Sequence, residues 1–324
     1  MENFLKKELV MFYNVENLFS PDPKPKHFLD PTISGLRNWD ERKYQNKLRK
    51  IANVFRLIEE KEEVLPMIVG LCEVNNEEVL QDLIQQEPLQ NYDFVHYNSL
   101  DERGVDTALL YDKRKIELVD SEAISFIFEE VNEEQDEYYD TTRDVLFCKL
   151  KYNDELLNVF VAHLPSKREK DVNKPKRDYI LHSIKERVLT LLEKEEPVII
   201  CGDFNDDPIE ENLNNLLYDN GVDKILVNPY IELYNNKIYS TFHYNQGLLF
   251  DQILFSNHFF LPISSLAFKS AVVFNSEKLS NWDKKFKGRP FRTFAGTRYL
   301  GGYSDHRSEE HTSELQSLSR ISYA

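Results

Sequence analysis

The sequence predicts an α/β fold. Short apolar runs bounded by turn residues recur along the chain, as buried strands do, and longer segments between them carry apolar residues at helical spacing. Several runs end at a carboxylate, an amide or an imidazole. Because ligands of open α/β sheets gather where strands end, this pattern also predicts a functional site at those ends.

The predicted strands and helices alternate along the chain. Strands are expected at residues 9–13, 67–72, 107–111, 145–150, 157–162, 198–201 and 250–255. Helices are expected within 39–63, at 77–86 and at 180–192, where apolar residues recur every three or four positions. No linker rich in Pro, Gly or Ser interrupts the series, so we predict one domain.

The segment VIICGDFNDDP, from Val198 to Pro208, is the most informative one. Its four leading apolar residues are too few for a helix, and Gly202 permits a tight turn before the proline blocks continuation. It therefore predicts a buried strand that presents Asp203 and Asn205 to a site. An ordinary turn is the alternative interpretation, and we prefer it for the two aspartates that follow Asn205.

Other predicted strands end in the same way. The polar residues at or near those ends are Asn14, Glu16, Glu73, His163, Asp251, Asp305 and His306. Each of them alone is an ordinary strand end. Together they would bring carboxylates, an amide and two imidazoles to one place, which is a catalytic combination.

Six short motifs give the chain a family resemblance. They are NVEN (14–17), GLCEV (70–74), AHLPS (162–166), GDFN (202–205), FDQIL (250–254) and SDH (304–306). In order and spacing they resemble the endonuclease/exonuclease/phosphatase superfamily, which includes pancreatic deoxyribonuclease, exonuclease III, sphingomyelinase and inositol polyphosphate phosphatases. The segments 103–111 and 141–146 resemble a generic bacterial branch of it.

The resemblance implies a fold and a cofactor. We expect a four-layer sandwich, in which two mixed β-sheets pack face to face between helices. An oxygen-rich site without cysteine suits Mg²⁺ or Mn²⁺ better than zinc. By the resemblance Glu73 and Asp305 hold this ion, Asn14 completes its surroundings, and Glu16 is a further candidate ligand or a structural acid.

The resemblance also assigns the catalytic roles. Asp203 would orient and deprotonate the attacking water, and Asn205 would hold that water or a phosphate oxygen. His163 and His306 would donate hydrogen bonds to the transition state or protonate the leaving oxygen, with Asp251 orienting His306. Lys167, Arg168 and Arg143 are candidates for phosphate binding, and a structural salt bridge is the alternative role for Arg143.

Charge bears on the substrate. The net charge of −16 argues against a protein that grips duplex DNA along its backbone. Two basic groups oppose this. The first is Lys167, Arg168, Lys170, Lys174, Lys176 and Arg177, and the second is Lys284, Lys285, Lys287, Arg289, Arg292 and Arg298 with Trp282, Phe286, Phe291 and Phe294 interleaved. Such groups could hold a nucleic-acid strand by phosphate contact and stacking, and solvated loops are the alternative.

Three functions follow as hypotheses. The first is a nuclease, a metal-dependent hydrolase of nucleic-acid phosphodiesters. The second is the same chemistry on a small-molecule or lipid phosphoester, and the third is an inactive binding scaffold. No protein partner can be inferred.

The chain has no apolar stretch near the roughly 20 residues that a membrane span needs, and no signal-peptide pattern. We therefore expect a cytoplasmic protein. Cys72, Cys148 and Cys201 all lie in strand-like runs, so we expect buried thiols.

The last residues depart from this picture. Residues 307–317 read RSEEHTSELQS, without strand periodicity, where the superfamily continues with a proline and an apolar strand. The string resembles a translated sequencing adapter. We therefore expect a domain at 1–306 that lacks its final strand and a non-native tail at 307–324, with a disordered native tail as the alternative.

Overall fold

Two six-stranded β-sheets form the centre of the molecule and confirm the predicted fold class. The structure is a computed structural model. It describes residues 7–22, 34, 36–101, 103–131, 137–167, 170–261 and 266–315.

The strands extend the predicted set. Their bounds are β1 (Lys7–Leu18), β2 (Ile68–Val74), β3 (Tyr92–His96), β4 (Asp106–Asp112), β5 (Ile116–Ile124), β6 (Ile127–Val131), β7 (Glu137–Thr141), β8 (Val145–Tyr152), β9 (Glu155–His163), β10 (Val198–Asp203), β11 (Tyr218–Asp219), β12 (Asp223–Lys224), β13 (Leu226–Val227), β14 (Thr241–His243), β15 (Gln246–Leu248), β16 (Asp251–Ser256), β17 (Leu266–Val273), β18 (Phe294–Ala295), β19 (Arg298–Tyr299) and β20 (Glu309–Leu315).

The helices lie where helical spacing predicts them, with two short additions. They are α1 (Glu41–Glu62), α2 (Glu77–Ile84), α3 (Lys174–Leu192), α4 (Glu211–Leu216) and α5 (Tyr230–Asn235). The side chain of Asp40 caps α1 by accepting from the Lys43 N–H at 2.9 Å. None of the described helices combines the length and the apolar character that a membrane crossing requires.

The two sheets share one topological feature. Their strand orders are β17–β20–β1–β2–β4–β3 and β13–β16–β10–β9–β8–β5. Each contains a parallel pair, β1 with β2 and β9 with β10, among antiparallel neighbours. The carboxyl ends of two neighbouring strands therefore lie together in each sheet.

Three apolar cores separate four layers, as the resemblance implied. Helices α1 and α2 cover the outer face of the first sheet, and α3 and α4 cover that of the second. The third core lies between the sheets. There a Cβ at Gly70 would stand 2.5 Å from the Cys201 sulfur, so glycine permits this close approach. All three cysteines are free and buried, as predicted.

The expectation that no strand follows His306 is wrong. Residues Glu309–Leu315 form β20, which is hydrogen-bonded between β1 and β17 inside the first sheet. Backbone pairing depends little on side chains, and without β20 the polar groups along β1 would be unpaired.

The side chains of β20 do not suit this position. Glu309 lies opposite Phe12 and Val273, and both Glu309 and Glu310 are buried. Their four carboxylate oxygens have no hydrogen-bond partner among the described residues. Burial raises the pKa of Glu309 well above its usual value and that of Glu310 to about 8. We propose on this basis that the native chain carries apolar residues here.

We predict that Glu310→Leu stabilises the protein. The folded state favours neutral Glu310, so the free-energy cost of burying its charge is absent at low pH, grows as pH rises from the usual pKa of 4.5 to about 8, and is constant above. Thermal unfolding should show a gain of about 3 kcal/mol at pH 8 and much less at pH 5. Glu117→Leu, at an exposed strand position, is the control. Equal melting temperatures for wild type and Glu310→Leu at pH 8 would refute the prediction.

Candidate functional site

The ends of the two parallel strand pairs meet across the interface between the sheets. The side-chain amide of Asn14, on β1, donates to Asp203 Oδ2, on β10, at 3.0 Å. Within the second sheet Asp203 lies opposite His163 of β9 and Asp251 of β16. The structure thus brings together side chains that are far apart in the sequence.

Several residues here adopt a backbone conformation that is rare for non-glycine residues. Glu16, Asn17, Glu73 and Asn205 have φ values of 51°, 55°, 66° and 52°. At the first three the pairing between β1 and β2 or between β2 and β4 also shifts register. Such conformations cost free energy and cluster at functional sites. In this protein they interrupt the strands where the polar side chains leave them.

Asn14 and Glu73 form the first half of the site. The Asn14 Nδ2 atom lies 3.3 Å from Glu73 Oε1, and the backbone N–H of Asn17 donates to Glu73 Oε2 at 3.0 Å. Asn14 Oδ1 accepts from the Glu16 N–H at 3.0 Å. The Asn14 amide nitrogen therefore links Glu73 to Asp203.

Asp305 approaches this half from a loop. Its backbone carbonyl accepts from the Thr241 hydroxyl at 2.8 Å. Its carboxylate pairs with Arg292 at 2.8 Å and stays partly exposed. Arg292 thus neutralises the acid on the side of the site that is open to solvent.

Glu16 has a structural task that the sequence left open. Its carboxylate accepts hydrogen bonds from the backbone N–H groups of Thr293 at 2.6 Å and Phe294 at 3.3 Å. Burial and the nearby Asp305 raise its pKa to about 7, although Lys47 opposes them. These contacts anchor a loop, so they favour the structural alternative for Glu16 over metal binding.

Asp203 and Asn205 form the second half. Asp203 Oδ1 accepts from the Asn205 N–H at 3.0 Å, and Asn205 Nδ2 donates to the Leu164 carbonyl at 2.9 Å. Burial and the adjacent Asp251 raise the pKa of Asp203 to about 7. A carboxylate with that pKa can exchange a proton near neutral pH.

The two predicted histidines differ in charge. His306 Nδ1 lies 2.7 Å from Asp251 Oδ2 and 4.0 Å from Asp203 Oδ2. Burial lowers the pKa of His306, but the carboxylates of Asp251, Asp203 and Asp305 outweigh it and raise the pKa well above its usual value. Burial, with Arg143 and Arg103 nearby, lowers the pKa of His163 well below its usual value. His306 is thus a cation and His163 is neutral.

The residues predicted to bind phosphate differ in their surroundings. Arg143 is buried near the site, where Nη1 donates to the Leu164 carbonyl at 3.4 Å and Nε lies 3.7 Å from Asp101. Lys167 instead pairs with Asp206 at 2.8 Å and Glu210 at 3.0 Å. Arg168 lies outside the described residues.

Acids neutralise much of the first basic group. Arg177 is fully buried and pairs with Asp206 and Asp171, Lys174 pairs with Asp178, and Lys176 pairs with Asp140. Arg177 thereby links α3 to the turn after β10, and Lys176 links it to β7. The pairing favours a structural role over the phosphate-binding one that the sequence suggested for this group.

Sequence reasoning missed Lys47 and gave Arg292 no individual role. Lys47 is buried on α1, and its ammonium donates to the Thr293 hydroxyl at 2.5 Å and the Tyr303 carbonyl at 2.7 Å. A lysine within the apolar stripe of α1 was the available signal, because a buried lysine needs partners. Nothing comparable distinguished Arg292 from the other basic residues around it.

Two groups of side chains in the described part of the chain could hold a metal ion. They are Cys72 with His163 and Asp203, and Asp203 with Asp251 and His306. The first fits poorly, since burial raises the pKa of Cys72 well above its usual value and keeps it a thiol. The second contains His306, whose raised pKa favours the protonated imidazole, a form without a lone pair for a metal. Glu73, Asp305 and the Asn14 amide offer only oxygen ligands, which fits a hard cation.

A family model described as "Endonuclease/Exonuclease/phosphatase family" matches residues 9–309. No curated protein matches the chain significantly.

Several solved structures resemble the chain. They include D. rerio TDP2 complexed with a single-strand DNA product (TM-score 0.58, 16% identity, covering 95% of this chain and 98% of that one), the human nocturnin catalytic domain with a bound sulfate anion (0.58, 17%, 96% and 95%), and a mannosyl-6-phosphatase of Bacteroides thetaiotaomicron (0.57, 15%, 94% and 98%). At such identities the likeness shows the shared fold alone.

We predict that Asp251 keeps His306 protonated. In Asp251→Asn the largest influence that raises the pKa of His306 is lost while burial remains, so the pKa should fall by at least about one pH unit. NMR titration of the imidazole ring measures this directly. His182, exposed on α3, should titrate identically in both proteins. An unchanged His306 midpoint would contradict the assignment.

Proposed function

Because the chain belongs to the endonuclease/exonuclease/phosphatase family, we propose that it is a divalent-metal-dependent phosphoester hydrolase that cleaves nucleic-acid phosphodiesters. The observation that carries this proposal is the position of the Asn14 amide between Glu73 and Asp203. This position supports a site for a hard cation next to a carboxylate that can accept a proton.

Asp203 is the group that we propose to activate water. Its pKa of about 7 makes the ionised form available at neutral pH while it remains basic enough to take a proton. The Asn205 N–H fixes one carboxylate oxygen and the Asn14 amide fixes the other. The Asn205 side chain binds Leu164 through its nitrogen, so its oxygen remains to hold the water.

The two histidines stabilise charge on the phosphate. Cationic His306, held by Asp251, donates to a phosphate oxygen or protonates the leaving oxygen. His163 is neutral and lies 3.8 Å from Asp203, so it contributes a hydrogen bond and no charge. Arg143 supplies a buried positive charge behind them.

Glu73 and Asp305, with Asn14 beside them, would hold Mg²⁺ or Mn²⁺. When bound, such an ion neutralises negative charge that develops on the phosphate. Arg292 currently pairs with Asp305, so phosphate binding would compete for the same guanidinium.

The second candidate function is hydrolysis of a small-molecule or lipid phosphoester. It is favoured by the net charge of −16 and by the ion pairs that neutralise much of the first basic group. Both observations argue against a long duplex substrate, since phosphate neutralisation supplies most non-specific affinity for DNA. A short single strand has fewer phosphates than a long duplex and therefore needs fewer cations to bind it.

Asp203→Ala tests the reaction. Without its base the enzyme should lose at least about 10³-fold in rate on a single-stranded oligonucleotide with Mg²⁺ or Mn²⁺. Asp223→Ala, in the exposed β11–β12 hairpin, is the matched control and should retain wild-type activity. Wild type that cleaves a small phosphodiester but no oligonucleotide would favour the second candidate. Absence of both activities would overturn the proposal.

The pH dependence follows from the same carboxylate. We expect kcat/KM to rise about tenfold per pH unit below about pH 7 and to level off above it, as Asp203 ionises. The profile should be measured with the oligonucleotide at saturating metal. A rate that stays constant from pH 5 to pH 8 would exclude Asp203 as the base.

Glu73→Gln tests the metal site independently of turnover. Removing one carboxylate charge should weaken Mn²⁺ binding by at least about tenfold in titration calorimetry. Glu78→Gln, exposed in the first turn of α2, is the control. Equal Mn²⁺ affinities for wild type and Glu73→Gln would place the metal elsewhere.

A further inference from the structure

A cavity of about 370 Å³ opens beside Asp305. It lies between the β14–β15 hairpin and the loop 281–300. Its size is within the range of small-ligand pockets. Since Asp305 and Arg292 form one wall, a group attached to a phosphate in the site would extend into this cavity.

Planar groups form much of the lining. The Arg289 guanidinium lies 5.5 Å from the Phe242 ring centroid and 5.4 Å from that of Phe286, so the cation is held between two aromatic faces. Its nitrogens also donate to the Tyr244 carbonyl and, at 2.9 Å, to Asn245 Oδ1. Tyr244, which lines the cavity, is 81% exposed.

The loop that carries Arg289 and Arg292 is anchored to the catalytic site. The Tyr303 N–H donates to the Phe291 carbonyl at 2.6 Å, and a Cβ at Gly302 would lie 2.0 Å from that same oxygen. Glu16 and Lys47 hold Thr293 from the other side. These contacts join the cavity wall to β1 and α1. The fold therefore fixes the position of this wall relative to Asp305.

The chemistry of the lining indicates a planar aromatic ligand. Aromatic rings and a guanidinium plane stack on nucleobases of any sequence. A hydroxyl-rich sugar would need several hydrogen-bond partners to replace water, and the charged lining residues Arg289, Arg292 and Asp305 are already paired with other groups of the protein. A base inside a duplex could not enter, because its faces are already stacked.

We propose that this cavity binds an unpaired nucleobase of the substrate, stacked on Tyr244 and Phe286 and supported by Arg289. The proposal rests on the proposed function and narrows its substrate to single-stranded nucleic acid or a free nucleotide. It also distinguishes the two basic groups, since the second contributes Arg289 and Arg292 to a cavity while the first is largely paired with acids.

The test compares two oligomers of equal length and charge, oligothymidylate and the same sugar-phosphate backbone without bases. Wild type should cleave oligothymidylate with a kcat/KM at least about tenfold higher. Tyr244→Ala and Phe286→Ala should remove this preference without lowering the rate on the base-free oligomer. Trp282→Ala is the matched control, because Trp282 is as exposed as Tyr244, belongs to the same loop as Phe286 and does not line the cavity.

A second measurement does not depend on turnover. Thymidine 5′-monophosphate and ribose 5-phosphate are titrated calorimetrically into wild type and Tyr244→Ala. Tight binding of the nucleotide alone, weakened in the variant, supports the proposal and identifies free nucleotides as sufficient ligands. Base-dependent cleavage without nucleotide binding supports it for strands.

The two proposals can fail separately. Equal kcat/KM on both oligomers, in an enzyme that Asp203→Ala inactivates, would overturn the nucleobase site and leave the hydrolase intact. If neither oligomer is cleaved, the nuclease proposal fails. The nucleobase site then also fails if thymidine 5′-monophosphate does not bind, and stands if it binds and Tyr244→Ala weakens that binding.

Discussion

The Asn14 amide is the contact on which the site depends. One nitrogen atom donates to Asp203 of the second sheet and lies within reach of Glu73 of the first. It can do so because both parallel strand pairs end at the same edge of the sandwich, and because Gly70 lets the sheets approach closely at Cys201. A shift of one sheet along the other would separate Asp203, the proposed base, from Glu73 and Asp305, the proposed metal ligands.

The electrostatics of the site follow from this crowding. Asp203, Asp251, Glu16 and Asp305 are close enough that burial and mutual repulsion raise the pKa of two of them to about 7. The protein balances this negative charge with His306, Lys47 and Arg292. A divalent cation would relieve the remaining repulsion. In β20, by contrast, the carboxylates of Glu309 and Glu310 are buried without a hydrogen-bond partner among the described residues.

Much of the fold was predictable because its signals are local. A parallel strand buried on both faces requires an unbroken apolar run, and residues 198–201 and 159–162 provide one at β10 and β9. Asp203, His163 and Asp251 could be named for the same reason, since each stands at a strand end. The pairings that decide function are not local. The structure pairs Lys167 with Asp206 and Arg292 with Asp305. These pairs depend on the course of loops, which periodicity in the sequence does not predict. The last strand was missed because its backbone pairs with β1 although its buried acidic side chains do not suit a strand inside a sheet.

We propose that a divalent metal ion binds where the two sheets meet. Broadening of imidazole NMR signals by equimolar Mn²⁺ is the decisive measurement, because a paramagnetic ion broadens only nearby resonances. We expect the signals of His163, at the end of β9 in the second sheet, and His306, in the loop before β20 of the first sheet, to broaden together while that of exposed His182 stays sharp. Broadening of His182 first, or of neither site histidine, would contradict it.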